Sequence, residues 1–137
     1  MRHEDLITHD AQIARVHEIM AVYRSMGIVV EYDLRSVPLH DLIATQDAIE
    51  RDKYPVVLQT VRDGDLNVPI IVEQHFIDDA EVRYVLDGHC RTRAMIELGH
   101  SRIDAYVLSS AAGTFNSNFI DVARKYGNIR VKDLKMV

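Results

Sequence analysis

Residues 85–100 read VLDGHCRTRAMIELGH, and the junction inside this stretch decides how the chain is organised. The apolar residues before Asp87 have strand character. Asp-Gly is a turn pair, and Ala94, Met95 and Leu98 then share one helical face until Gly99 supplies a stop. Asp87 stands where a helix N-cap is expected. The stretch is therefore a strand, a tight turn and a short helix.

Upstream, VPIIVEQHF (68–76) and EVRYVLD (81–87) are two strand-length runs separated by IDDA, a hairpin with a loop longer than two residues. Downstream, RIDAYVL (102–108) is a further strand. TFNSNFIDVARKYG (114–127) is a further helix, opened by Thr114 or Asn116 and closed by Gly127, and the tail NIRVKDLKMV fits strand or helix. Toward the N-terminus, Ile13, Val16, Ile19, Met20 and Tyr23 recur at helical spacing before Gly27. That stripe suits packing on a sheet or a dimer contact. Residues 28–38 then read as a strand, LHDLI as a short helical turn, and Pro55 opens a helix from about Tyr54 to Arg62. Helices interleaved with strands and one hairpin predict an α+β domain, a mixed sheet packed with helices plus an extra N-terminal amphipathic helix.

A chain of 137 residues suits one domain spanning 1–137. With 47% hydrophobic and 27% charged residues it has the composition of an ordinary globular protein. A net charge of −5 provides no general field for nucleic acid, so direct DNA binding by this chain alone is not expected. No apolar run reaches membrane-spanning length and the start lacks a signal-peptide pattern, which points to a cytoplasmic protein without membrane contact. The single cysteine excludes an internal disulfide.

The helix start after Asp87 has the parts of an anion site. Its first amide groups lack intrahelical acceptors, and the helix dipole is positive there. Gly88 lets a phosphate approach the backbone, Arg91 and Arg93 supply charge, and His89 can bridge or protonate a phosphate oxygen. Asp87 can bind Mg²⁺ or accept a hydroxyl proton. The competing reading is a capped helix with solvated arginines. His3, His9 and His17 lack the spacing of a paired metal site, and His75 and His100 read as loop residues.

GDLNVPIIV (64–72), VRYVLD and DGHCRTRAMIELG together resemble the nucleotide-binding fold shared by the ParB N-terminal domain and sulfiredoxin, over about residues 35–108. The ordered correspondences are Gly64, Pro69, Ile70 and Val72, then Gly88, Arg91, Arg93 and Ala94. The resemblance implies that Gly88, His89, Cys90, Arg91 and Arg93 hold a nucleotide (ADP, ATP or CTP). Asp87, Gly88, His89 and Arg91 also match the Asp-Gly-His-His-Arg motif of archaeal free-serine kinases, with Cys90 in place of the second histidine. That likeness implies Mg²⁺-assisted phosphoryl transfer to a small hydroxyl substrate, with Asp87 and His89 catalytic. The base it implies falls in ATQDAIE (44–50) at Gln46 or Asp47, of which only Asp47 can take a proton. In sulfiredoxin the order is Gly-Gly-Cys-His-Arg. Here the cysteine lies one residue later, a rotation of about 100° on a helix, so that reductase chemistry is not expected. The alternative is a non-enzymatic, nucleotide-responsive module for a protein or DNA partner.

Overall fold

The computed structural model describes residues 7–137. Helix α1 spans His9–Ser25 and is capped by the Thr8 hydroxyl, which accepts from the Ala11 N–H. Strand β1 (Glu31–Pro38) follows, then the two-residue strands β2 (Ile43–Ala44) and β3 (Ala48–Ile49), and α2 (Tyr54–Arg62) with Pro55 in its first turn. The hairpin is β4 (Ile70–Ile77) and β5 (Ala80–Asp87). Helix α3 (His89–Glu97), β6 (Arg102–Ser109), α4 (Asn118–Lys125), a 3-10 turn (Val131–Asp133) and β7 (Lys135–Met136) complete the chain.

Five strands form a mixed sheet in the order β1-β6-β4-β5-β2, and β3 and β7 form a small parallel pair. Antiparallel β1–β6 and β4–β5 ladders flank a parallel β4–β6 ladder. Central β4 is buried on both faces, as its continuous apolar start requires. Ile70 and Val72 point into a core closed by Tyr54 of α2, Ala94 of α3, Val131 and Leu134. On the opposite face Ile71 meets Val16 of α1, and Tyr84 meets Ile120 and Ala123 of α4. Each fully buried isoleucine or leucine contributes about 1.5–3 kcal/mol through the apolar area it removes from water. The α1 stripe thus packs on the sheet.

Several boundaries differ from the sequence reading. The first strand starts at Glu31 and not at Ile28, because Ile28 to Val30 lie in the connection from α1. LHDLI forms a turn leading into β2 rather than a helical turn. The hairpin loop has two residues, Asp78 and Asp79, both at positive φ (52° and 64°); aspartate tolerates this region, so the tight loop forms without glycine. The α3 N-cap is Gly88, not Asp87, which ends β5. Ser117 caps α4 by accepting from the Phe119 N–H, whereas the Thr114 hydroxyl bonds His75. The tail divides into the 3-10 turn and β7.

His75 is no loop residue: it is fully buried in β4, 2.6 Å from Glu73 through Nε2 and 2.9 Å from Thr114 through Nδ1. The Tyr23 hydroxyl donates to the other Glu73 oxygen and also contacts Ser117. Buried polar groups need partners, and this network supplies them while fixing the C-terminal end of α1 to the sheet. His17 on α1 packs edge-on against Tyr32, and His100 is exposed. His3 lies outside the described residues.

Candidate ligand-binding site

At the carboxyl end of β5 the hairpin register shifts. Ile71 pairs with Asp87 and Val72 with Val85, so Leu86 has no partner across the ladder. Such a bulge re-aims the residues that follow it. Gly88 then turns the chain at φ 108° and ψ 27°. A Cβ at this position would come within 2.9 Å of Ile70 Cβ and closer still to its Cγ2. Packing on Ile70 therefore explains the glycine without any ligand.

Below this turn lies a cavity of about 620 Å³. The first turns of α2 and α3 border it through Lys53, Val57, Gly88, His89, Cys90 and Arg91. Helix α1 adds Arg15, the β3–α2 connection adds Glu50, and Gln46, Asp87, Leu86, Leu66 and Ile7 complete the wall. The size is that of an ordinary small-molecule site. Two helix N-termini facing one space, with Arg15 and Lys53 beside them, favour an anion.

The predicted residues separate into distinct roles. Asp87 Oδ2 accepts from Gln12 Nε2 at 2.9 Å and from Arg91 at 3.0 Å. Arg91 is only 6% exposed; it also donates to the carbonyls of Val68 and Pro69, and burial lowers its pKa against the opposing pull of Asp87. Its guanidinium binds the chain to itself before it binds anything else. Arg93 lies outside the cavity and donates to the carbonyls of Val131 and Leu134 at 3.1 and 2.8 Å. It holds the C-terminal segment rather than lining the space. Asp47 is exposed and outside the cavity, while Gln46 lines it with its amide donating to the Ala48 carbonyl. The half-buried Cys90 thiol has its pKa raised, chiefly by burial, with Lys53 opposing; it is a neutral wall residue, not an activated nucleophile.

His89 is 5% exposed, and its Nε2 accepts the Thr45 N–H at 3.0 Å, which leaves the proton on Nδ1. Burial pushes its pKa down to about 4, despite the opposing charge of Asp87. Burial thus favours the neutral ring, which offers a hydrogen bond through Nδ1–H. Between the ordinary value of 6.5 and about 4, the unfolded chain binds a proton that the folded chain refuses. The contribution of His89 to stability is therefore complete above pH 6.5, falls as the pH drops toward 4 and levels off below it, by about 3 kcal/mol in all. Urea unfolding across this window should show that slope in the parent. In His89→Gln, whose amide oxygen can accept the Thr45 N–H, the slope should be smaller; an equal slope would assign it to other groups.

Sequence reasoning missed Gln12, Arg15, Glu50 and Lys53. Two of them had a signal. Gln12 is a polar residue four before Val16 on the buried stripe, where it needs a partner. Lys53 is a cation at the N-cap of α2, whose first turn has no acid, where the dipole disfavours it.

Among the described residues no three His, Cys, Asp or Glu side chains gather as a metal cluster. With Oδ2 of Asp87 already accepting twice, Oδ1 is its remaining ligand atom. Mg²⁺ bound chiefly through phosphates needs only one or two carboxylates, so this donor set fits that mode and no all-protein cage. No described helix is long and apolar enough to cross a membrane.

No family model and no curated protein matches the chain. Among solved structures, the protein Atu1540 from Agrobacterium tumefaciens is similar at a TM-score of 0.52 and 18% identity, over 71% of this chain and 49% of that one. A Pnob8-like ParB-N domain is similar at a TM-score of 0.47 and 14% identity, over 67% of this chain and 34% of that one. The chain thus covers about half of the first and a third of the second. At these identities the likeness to Atu1540 is one of fold alone.

Proposed function

We propose that the cavity binds a nucleotide through its phosphates and is the place where a phosphoryl group passes to a small hydroxyl compound. The observation that supports this most is the convergence of two helix N-termini with Arg15 and Lys53 on one space of about 620 Å³. In this reading Arg15, Lys53 and the opening amides of α3 hold the phosphates, in place of Arg91 and Arg93. His89 serves as a neutral donor through Nδ1–H. Ile7, Val57, Leu66 and Leu86 offer apolar surface for the base or sugar. Mg²⁺, held by Asp87 and the phosphates, would supply charge neutralisation.

The base is Glu50 rather than Asp47, because Glu50 lines the cavity and Asp47 does not. Its carboxylate takes the acceptor's hydroxyl proton as that oxygen bonds to the terminal phosphorus and the bond to the leaving nucleotide breaks.

Calorimetric titration with ADP, ATP and CTP in the presence of Mg²⁺ tests the site. Lys53→Ala and Arg15→Ala should each weaken binding roughly tenfold to a hundredfold, the worth of one charge-assisted contact. Neither side chain has a hydrogen bond or ion pair that holds the fold together among the described residues. Glu50→Gln should keep binding and lose phosphoryl transfer to serine and other small alcohols. Failure of all three nucleotides to bind would remove the proposal. Binding without transfer by the parent would leave a nucleotide-responsive module.

A further inference from the structure

We propose that the protein forms a symmetric dimer by antiparallel pairing of β1 with β1 of a second copy, centred on Leu34. The sheet ends differently at its two edges. Strand β2 has two residues, and its outer side is covered by a bridge from Ile43 to Arg130 and by the Ala44 N–H donating to the Ile129 carbonyl. Strand β1 has eight residues in unbroken register with β6, and no described strand pairs with its outer edge. A long, regular open edge is a template for another strand unless its side chains forbid pairing.

The side chains of β1 select one partner and one register. Leu34 is 57% exposed and Val29, just before the strand, is 66% exposed. Asp33 and Arg35 lie two apart on the other face, where Arg35 already reaches Asp33 through Nε at 3.2 Å. In a two-fold antiparallel pair, residues facing one another have numbers with a constant sum, and the central residue meets its own copy. Centring on Asp33 or on Arg35 would set like charges directly opposite. Centring on Leu34 sets Asp33 against Arg35 of the second copy and Arg35 against its Asp33, joins the two Leu34 side chains, and uses residues 31–37 of the strand. Opposite charges across a ladder stabilise it and like charges destabilise it. The charge pattern thus complements itself in this register, and the occupant is a second copy of the same chain.

The test is sedimentation equilibrium of the full chain. The parent should be a dimer in reversible equilibrium with monomer. Asp33→Arg and Arg35→Asp should each raise the dissociation constant about tenfold or more, since each reversal acts twice in a symmetric interface. The double swap Asp33→Arg/Arg35→Asp should restore it. Far-ultraviolet circular dichroism of each variant checks that the exposed substitutions leave the fold intact, and Leu34→Lys provides a second disruption independent of charge. A parent that stays monomeric up to millimolar concentration would overturn the proposal. So would a dimer that either reversal leaves unchanged, or one that the double swap fails to restore.

Discussion

Gly88→Ala is expected to destabilise the protein by about 4 kcal/mol, combining a strained backbone of 1–3 kcal/mol with overpacking of similar size. Both terms act at one atom. At φ 108° an L side chain is disfavoured, and the new Cβ points at Ile70, which is fully buried. Ile70 has no room to retreat, because Val72, Val85, Ala94 and Ala105 belong to the same packed cluster. Gly27→Ala and Gly99→Ala provide the contrast, since both sites have positive φ but nothing within 4 Å of the added atom. They should cost only about 1–2 kcal/mol each. Urea unfolding midpoints of the three variants separate backbone strain from the clash. The double variant Gly88→Ala/Ile70→Ala should lose less than the sum of its parts, because the smaller side chain makes room for the Cβ. If Gly88→Ala behaves like Gly99→Ala, the clash is relieved at little cost and the glycine has another purpose. The consequence for function is direct: loss of nucleotide binding in Gly88→Ala would report a damaged turn as readily as a lost phosphate contact.

That ambiguity explains how much of the protein was legible in its sequence. Periodicity and punctuation located α2 to the residue, and Gly27 and Gly99 marked the ends of two helices. These signals are local, because caps, stops and stripes are properties of neighbouring residues. The alternation of helices and strands with one hairpin also gave the α+β architecture and its mixed sheet. The site was less legible, because sequence shows which residue types are present and not which partners they have already taken. Arg91 and Arg93 look like two phosphate ligands on one helix. In the structure each is occupied by main-chain carbonyls, one set before β4 and the other near the C-terminus. Meanwhile Glu50, only three residues from Asp47, lines the cavity, while Asp47 is exposed outside it. His75 failed for the opposite reason, since its burial depends on Glu73, Thr114 and Tyr84 converging from three parts of the chain.

Arg91→Ala should cost about 4 kcal/mol of stability, the range for removing one partner of a buried ion pair. The substitution leaves the Val68 carbonyl without its donor and removes one of the two donors to Asp87 Oδ2. Gln12 cannot make up the loss, because its two amide N–H groups already go to the Pro69 carbonyl and to Asp87. Arg91→Lys should recover only part of the loss, because an ammonium lacks the fork that reaches a carboxylate and a carbonyl in fixed directions. Removing both charges in Asp87→Asn/Arg91→Met should cost less than the sum of the single variants, since neither is left facing an absent partner. Thermal or urea unfolding of Asp87→Asn, Arg91→Met and the double variant beside the parent measures this coupling, and strict additivity would show that the pair contributes no interaction. Arg91→Ala should also lose nucleotide binding, but by releasing Asp87, which lines the cavity, from its anchored position. Lys53→Ala carries no such cost, so comparing the two variants distinguishes a phosphate contact from a structural strut. Binding retained in Lys53→Ala would remove Lys53 as a phosphate ligand, whatever Arg91→Ala does, because the loss in Arg91→Ala is already explained by the displaced Asp87.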